Sequence, residues 1–280
     1  MTPHWIQGGG GITLHVREWG PAQAPAILLV HGWSQHHMSW MKQTTSPLVD
    51  RFRIVAPDMR GHGASDKPMD AAAYTDGRLW AEDLRAICHV LELKSPVMVG
   101  WSYGVQAVCD YLRTFGDDRV AGISFVGGSV STGSERTAVE EGRIKPVATG
   151  VQMTSDDQAT ALAGTVAFLR ACTAAPVSKK DLALMTGFNM LCPVEIRRHM
   201  LMRDEDYRPD LNRVTKPCLI TYGEADRVCL PELALEAKTA IGHAEISAYP
   251  GAGHCPFWER PDRFNAELAA FATRAQGGGA

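Results

Sequence analysis

The stretch Val97-Met98-Val99-Gly100-Trp101-Ser102-Tyr103-Gly104-Val105 constrains this chain more than any other. An apolar, β-branched run enters it, a Gly-x-Ser-x-Gly sequence turns the corner, and from Val105 to Phe115 apolar residues recur at helical spacing. The pattern predicts a strand, a sharp turn and a helix. A serine on such a turn adopts a strained backbone, and the residues two positions away must lack a Cβ to clear the helix that follows. The hydroxyl is then lifted off the end of the sheet, with a helix N-terminus behind it that favours developing negative charge. Ser102 is therefore the candidate nucleophile.

The rest of the chain supplies the sheet this turn requires. Trp5 to Gln7 and Ile12 to Trp19, joined by a glycine turn, predict an antiparallel hairpin at a sheet edge. Ala26 to Val30, Phe52 to Pro57, Val97 to Gly100, Val120 to Val126, Pro217 to Tyr222 and Ala244 to Tyr249 read as further strands. Helical periodicity falls between them at Met38 to Leu48, Tyr74 to Leu91, Val105 to Phe115 and Pro231 to Ile241, and again at the end from Arg260 to Ala275. Strands alternating with helices imply right-handed crossovers, so the expected fold is α/β with a doubly wound, mostly parallel, eight-stranded sheet. From about Val130 to Asn212 the rhythm changes to alanine- and methionine-rich helical spacing with no buried strand. Residues 1–129 and 213–280 are read as the core, and 130–212 as an inserted helical cap.

Composition narrows the function classes. The 28 basic and 31 acidic residues give a net charge of −3 and are interspersed, which argues against nucleic acid or an anionic membrane surface as partner. The seven cysteines are scattered and sit in apolar or helical contexts, as reduced core residues do, and favour the cytoplasm. Cys192 and Cys218 lack a CxxC partner, so no metal is expected. No apolar run is long enough to span a membrane and no leader pattern opens the sequence.

A serine is a weak nucleophile until a base takes its proton. His254, in Gly251-Ala252-Gly253-His254, follows the last strand and precedes the final helix, where a glycine loop can bring an imidazole over the strand ends. Asp226 follows the strand before it and is the carboxylate expected to orient His254, ahead of its neighbour Glu224. The chain order Ser, Asp, His is the one this fold requires. The backbone N–H groups of Trp33, in the loop after Ala26 to Val30, and of Tyr103, at the start of a helix, are the expected oxyanion donors.

His31-Gly32-Trp33 with Ser39-Trp40, Pro57-Asp58-Met59-Arg60-Gly61-His62-Gly63-Ala64-Ser65-Asp66, Gly100-Trp101-Ser102-Tyr103-Gly104 and Gly251-Ala252-Gly253-His254 together resemble the α/β-hydrolase superfamily. Within it they are most similar to the branch of cofactor-free haloperoxidases, small-molecule esterases and lactonases. The resemblance covers essentially the whole chain except the insertion and implies a serine hydrolase without cofactor, acting on a small hydrophobic ester or lactone through an acyl-enzyme, with perhydrolysis as a side activity. Trp101 departs from the His that many relatives carry, and Ser34-Gln35-His36-His37 stands where ring-fission hydrolases have a glycine-proline loop. In the resembled family the Arg60-Gly61-His62-Gly63 turn is structural. His36 and His37 are read as satisfied loop histidines, and Arg197-Arg198 as a solvated helix face. The expected substrate pocket draws on Trp101, Phe168, Phe188 and Phe257, with a homodimer compatible with the sequence. Two other readings use the same residues: a cofactor-independent dioxygenase acting on a hydroxylated heteroaromatic ring, and a ligand-binding protein that has kept the triad.

Overall fold

The structure, a computed structural model, describes residues 1–133 and 152–277. Eight strands form one sheet: β1 (Thr2–Gln7), β2 (Thr13–Trp19), β3 (Ala26–Val30), β4 (Arg53–Pro57), β5 (Val97–Trp101), β6 (Gly122–Val126), β7 (Cys218–Gly223) and β8 (Glu245–Tyr249). Their spatial order is β1-β2-β4-β3-β5-β6-β7-β8. The β1–β2 hairpin lies at the edge and is antiparallel, as is the β2–β4 pairing, and every later pairing is parallel. Strands β3, β5 and β6 are buried along their whole length, which is why they read as unbroken apolar runs rather than alternating ones. Each buried aliphatic side chain there contributes roughly 1.5–3 kcal/mol.

Flanking helices connect the strands. Helix α1 (Gly77–Val90) is capped by the Asp76 carboxylate and packs along α2 (Tyr103–Phe115), which leaves the end of β5. The single helix expected from Tyr74 is in fact two pieces: Ala72–Thr75 ends first, and Asp76, in an extended conformation, starts the second. Met38 to Leu48 is likewise broken, into a 3₁₀ turn at His37–Trp40 and a short helix at Met41–Thr44, and Pro47, which has no backbone donor to continue that helix, precedes the next turn at Leu48–Arg51. The last helix begins at Pro261, with Arg260 outside it.

Between β6 and β7 the described residues form α3 (Gln158–Ala171), α4 (Lys179–Asn189) and α5 (Val194–Met200), and no strand. Asp157 and Ser178 cap the first two by accepting from Thr160 N and Asp181 N. Part of the expected cap, 134–151, lies outside the described residues. After β7, α6 (Pro231–Ala240) leads to β8, and α7 (Pro261–Ala275) closes the chain, its Phe271 reaching Gly122 of β6. No helix among the described residues is long and apolar enough to cross a membrane.

Candidate active site

Because β3, β5, β6, β7 and β8 run parallel, their C-terminal ends open on one rim, and every loop that follows them meets there. Ser102 sits at the centre of that rim with φ 55° and ψ −120°, a left-handed conformation that a residue with a side chain occupies only at a cost of about 1–3 kcal/mol. The flanking glycines are explained by contact. A Cβ on Gly100 would lie 2.6 Å from the Gly104 carbonyl oxygen, and one on Gly104 would lie 2.4 Å from that of Val30. The second glycine therefore makes room for the end of strand β3. Gly32 closes from the other side, where a Cβ would come within 2.9 Å of Ser102 Cβ.

His254 follows β8 and Asp226 follows β7, and both are buried. His254 Nδ1 is 2.8 Å from Asp226 Oδ2. The other carboxylate oxygen accepts from Val228 N at 2.8 Å and Cys229 N at 2.9 Å, which fixes the carboxylate plane. Glu224, the neighbouring acid, is exposed. His254 Nε2 is buried and has no hydrogen-bond partner among the described residues. Burial opposes protonation of this imidazole, but the charge and hydrogen bond of Asp226 outweigh it and hold the His254 pKa above its ordinary value. Ser102 Oγ is not engaged in capping its helix. The N–H groups of Trp33 and Tyr103 have no acceptor among the described residues, the second because it opens α2.

The loop carrying Trp33 is fixed by three histidines. His31 Nε2 accepts from Met59 N at 3.0 Å, and His62 Nε2 accepts from Ser34 N at 3.0 Å. His37 Nδ1 lies 2.8 Å from Asp58 Oδ1, while His15 Nδ1 lies 2.9 Å from Asp58 Oδ2. His15, His37 and Asp58 are of metal-ligating type and stand close together, yet His37 N and Ala64 N also donate to the carboxylate, so its oxygens are already well occupied.

A cavity of about 180 Å³ opens on Ser102, walled by Trp33, Tyr103, Gln106, Phe168, Met200, Arg203, Val228 and Leu233 among others. Two larger depressions lie on remote faces and contain none of Ser102, Asp226 and His254. Of the four expected pocket aromatics, Phe168 alone lines the Ser102 cavity. Trp101, Phe188 and Phe257 line a separate void of about 10 Å³ instead. The reason is local. Trp101 donates its indole N–H to the His254 carbonyl at 3.0 Å and packs edge-on against Phe257, whereas Phe188 stacks on His36. These rings support the rim from behind.

Arg197 is a second correction. It is fully buried rather than solvated, and donates to the carbonyls of Met153 at 3.0 Å and Asn189 at 2.7 Å and to Thr165 Oγ1 at 3.3 Å. Its own carbonyl accepts the Trp33 indole N–H at 3.1 Å, so the insertion is tied to the Trp33 loop. Arg198 is partly exposed and pairs with Asp156. Two residues of this region escaped the sequence reading. Glu259 accepts from Gly253 N at 2.6 Å and Ala174 N at 2.8 Å, holding the His254 loop against the end of α3. Gln106 lines the cavity one turn beyond Ser102; the signal was a lone amide between Val105 and Ala107.

A strained serine on a strand-to-helix turn, with a buried His–Asp pair on the two last strand ends, defines an α/β enzyme of the nucleophile-elbow class. The chain belongs to the α/β hydrolase family, which it matches over residues 27–267. It is 30% identical to a putative aryl esterase from Burkholderia cenocepacia, whose crystal structure superposes with a TM-score of 0.92 over 98% of this chain and 99% of that one. A putative non-heme chloroperoxidase of Synechocystis sp. is 26% identical over 93% of this chain and 95% of its own. A bifunctional esterase/perhydrolase of Acinetobacter calcoaceticus is 26% identical over 93% and 96%.

Proposed function

We propose that this protein is a serine hydrolase that cleaves a small carboxylic ester or lactone through an acyl-enzyme. Ser102 Oγ attacks the carbonyl carbon as His254 Nε2 takes its proton; Asp226 keeps Nδ1–H oriented and stabilises the imidazolium; the Trp33 and Tyr103 N–H groups receive the oxyanion. His254 then returns the proton to the departing alkoxide. Water, deprotonated by the same imidazole, releases the acid. Hydrogen peroxide in place of that water gives a peracid, the side activity that the esterase/perhydrolase relative makes reasonable.

The observation that carries this reading is the buried Asp226–His254 pair at 2.8 Å, its Nε2 without a partner among the described residues, on loops that follow the strands of the same rim as the strained Ser102. Relatives named as esterases support the ester class, and the small cavity with Trp33, Phe168, Val228 and Leu233 supports a compact, largely apolar substrate. The helical insertion acts as a cap over that substrate. Reaction with a fluorophosphonate followed by intact mass, beside turnover of short and medium p-nitrophenyl esters, tests the reading. One adduct per chain and ester turnover, both lost in Ser102→Ala, are expected. A folded protein with neither would overturn it and direct attention to oxygen uptake on hydroxylated heteroaromatics.

A further inference from the structure

Among the residues lining the Ser102 cavity, Gln106 is the one whose polarity has no structural use. It lies in the first turn of α2, four residues after the Ser102 that precedes the helix, and both residues line the same cavity. It is 6% exposed, its Oε1 is fully buried, and its amide makes no hydrogen bond among the described residues. A buried amide end without a partner costs about 1–3 kcal/mol, and an apolar side chain like its neighbours Val105, Ala107 and Val108 would fill the place without that cost. The other polar groups of the wall are engaged: Ser129 Oγ donates to Ser131 O at 2.6 Å, and Thr132 Oγ1 accepts from Glu205 N at 2.9 Å.

We propose that Gln106 binds substrate, selecting esters or lactones that carry a neutral hydroxyl a few bonds from the scissile carbonyl. The inference rests on the hydrolase reading above. Arg203 decides for a neutral group over a carboxylate. It lines the same wall, but its charge is matched by a bidentate pair with Asp110, at 2.9 and 2.7 Å, so no positive charge is spare. A hydroxyl both donates and accepts and therefore pairs with either end of the amide, whose oxygen and nitrogen exchange places by a half-turn. The remaining wall, Phe168, Val228 and Leu233, covers the apolar part of the same molecule.

The test compares kcat/KM for methyl 3-hydroxybutanoate, methyl butanoate and monomethyl succinate in the wild type and in Gln106→Leu. The wild type is expected to favour the hydroxy ester over methyl butanoate by about tenfold, the worth of one hydrogen bond to an otherwise unsatisfied amide. In Gln106→Leu that ratio falls to about one. Gln106→Met, which keeps the length without the amide, repeats the comparison, and fluorophosphonate labelling confirms that each variant retains its nucleophile. An equal ratio in wild type and variants overturns the proposal while leaving the hydrolase in place. A wild-type preference for the succinate that the variants lose overturns the choice of a neutral group. Absence of both ester turnover and fluorophosphonate adduct in the wild type removes the hydrolase reading and this inference with it.

Discussion

The two sides of the Ser102 cavity are held by different physics. On the sheet side, positions are set by backbone against backbone: Gly100 against Gly104, Gly104 against Val30, and Gly223 with a would-be Cβ 2.1 Å from the Gly253 carbonyl oxygen. On the insertion side they are set by side chains reaching carbonyls and amides, with Arg197 gathering Met153, Asn189 and Thr165, the Trp33 indole on Arg197 O, and Glu259 on Ala174 N. Backbone packing of the first kind tolerates no added atom, since the interior is already at crystal-like density. Side-chain tethers of the second kind can be lost one at a time. In the proposed reaction the attacking groups therefore stand on the stiff side, and substrate fit is left to the adjustable side.

Substitutions should separate the two. Asp226→Asn, on the stiff side, keeps the shape but offers His254 the wrong hydrogen-bond partner, and kcat for a p-nitrophenyl ester is expected to fall about ten-thousandfold with little change in KM. A loss under tenfold would show that Asp226 does not orient the base. Gly104→Ala comes next. Its new methyl would stand 2.4 Å from Val30 O, in backbone that cannot give way, and the variant should lose about 3 kcal/mol of stability by chemical denaturation. Arg197→Met tests the other side. It leaves the Met153 and Asn189 carbonyls without their donor, at about 1–3 kcal/mol, and loosens α5 within the insertion, while the backbone carbonyl at 197 still accepts the Trp33 indole N–H. Steady-state kinetics should show KM rising several-fold while kcat stays within about twofold. Equal loss in both constants would mean that the insertion positions the chemistry as well as the substrate.

The same division explains what could be read from the sequence. Backbone-determined features carry a local pattern, so the elbow, the buried strands and the order of Ser102, Asp226 and His254 along the chain stand out from residue types and spacing. Side chains that reach across the molecule leave no such pattern. Arg197, beside Arg198 on a short helix, looked like a solvated face because its partners lie at positions 153, 165 and 189. Trp101, Phe188 and Phe257 looked like pocket walls because aromatic character does not say which side of the rim a ring faces. The broken helix at Asp76 was readable in principle, since an Asp before a helical run is a cap signal, but the apolar period on either side bridges it.

The smallest effect expected is also the one that distinguishes the histidines of the two loops. His254 faces a carboxylate and has its pKa held up, so the imidazole must lose a proton to act as base, and kcat/KM should rise with pH along a limb whose midpoint lies above the ordinary histidine value of about 6.5. Burial pushes His36 and His62 down to about 4 and His31 well below its usual value, so all three are already neutral across that range and add no second limb. Their signature is in stability. The unfolded chain takes up protons at these three near pH 6.5 while the folded chain resists, His36 and His62 until about 4, so stability falls as pH drops below about 6.5. His254 has the opposite sign: its contribution is present below about pH 6.5 and is lost as pH rises through the higher folded value. A pH series of Tm beside a kcat/KM profile resolves the two. An activity limb with its midpoint below 6 would place the titrating base among the buried loop histidines and remove His254 from that role.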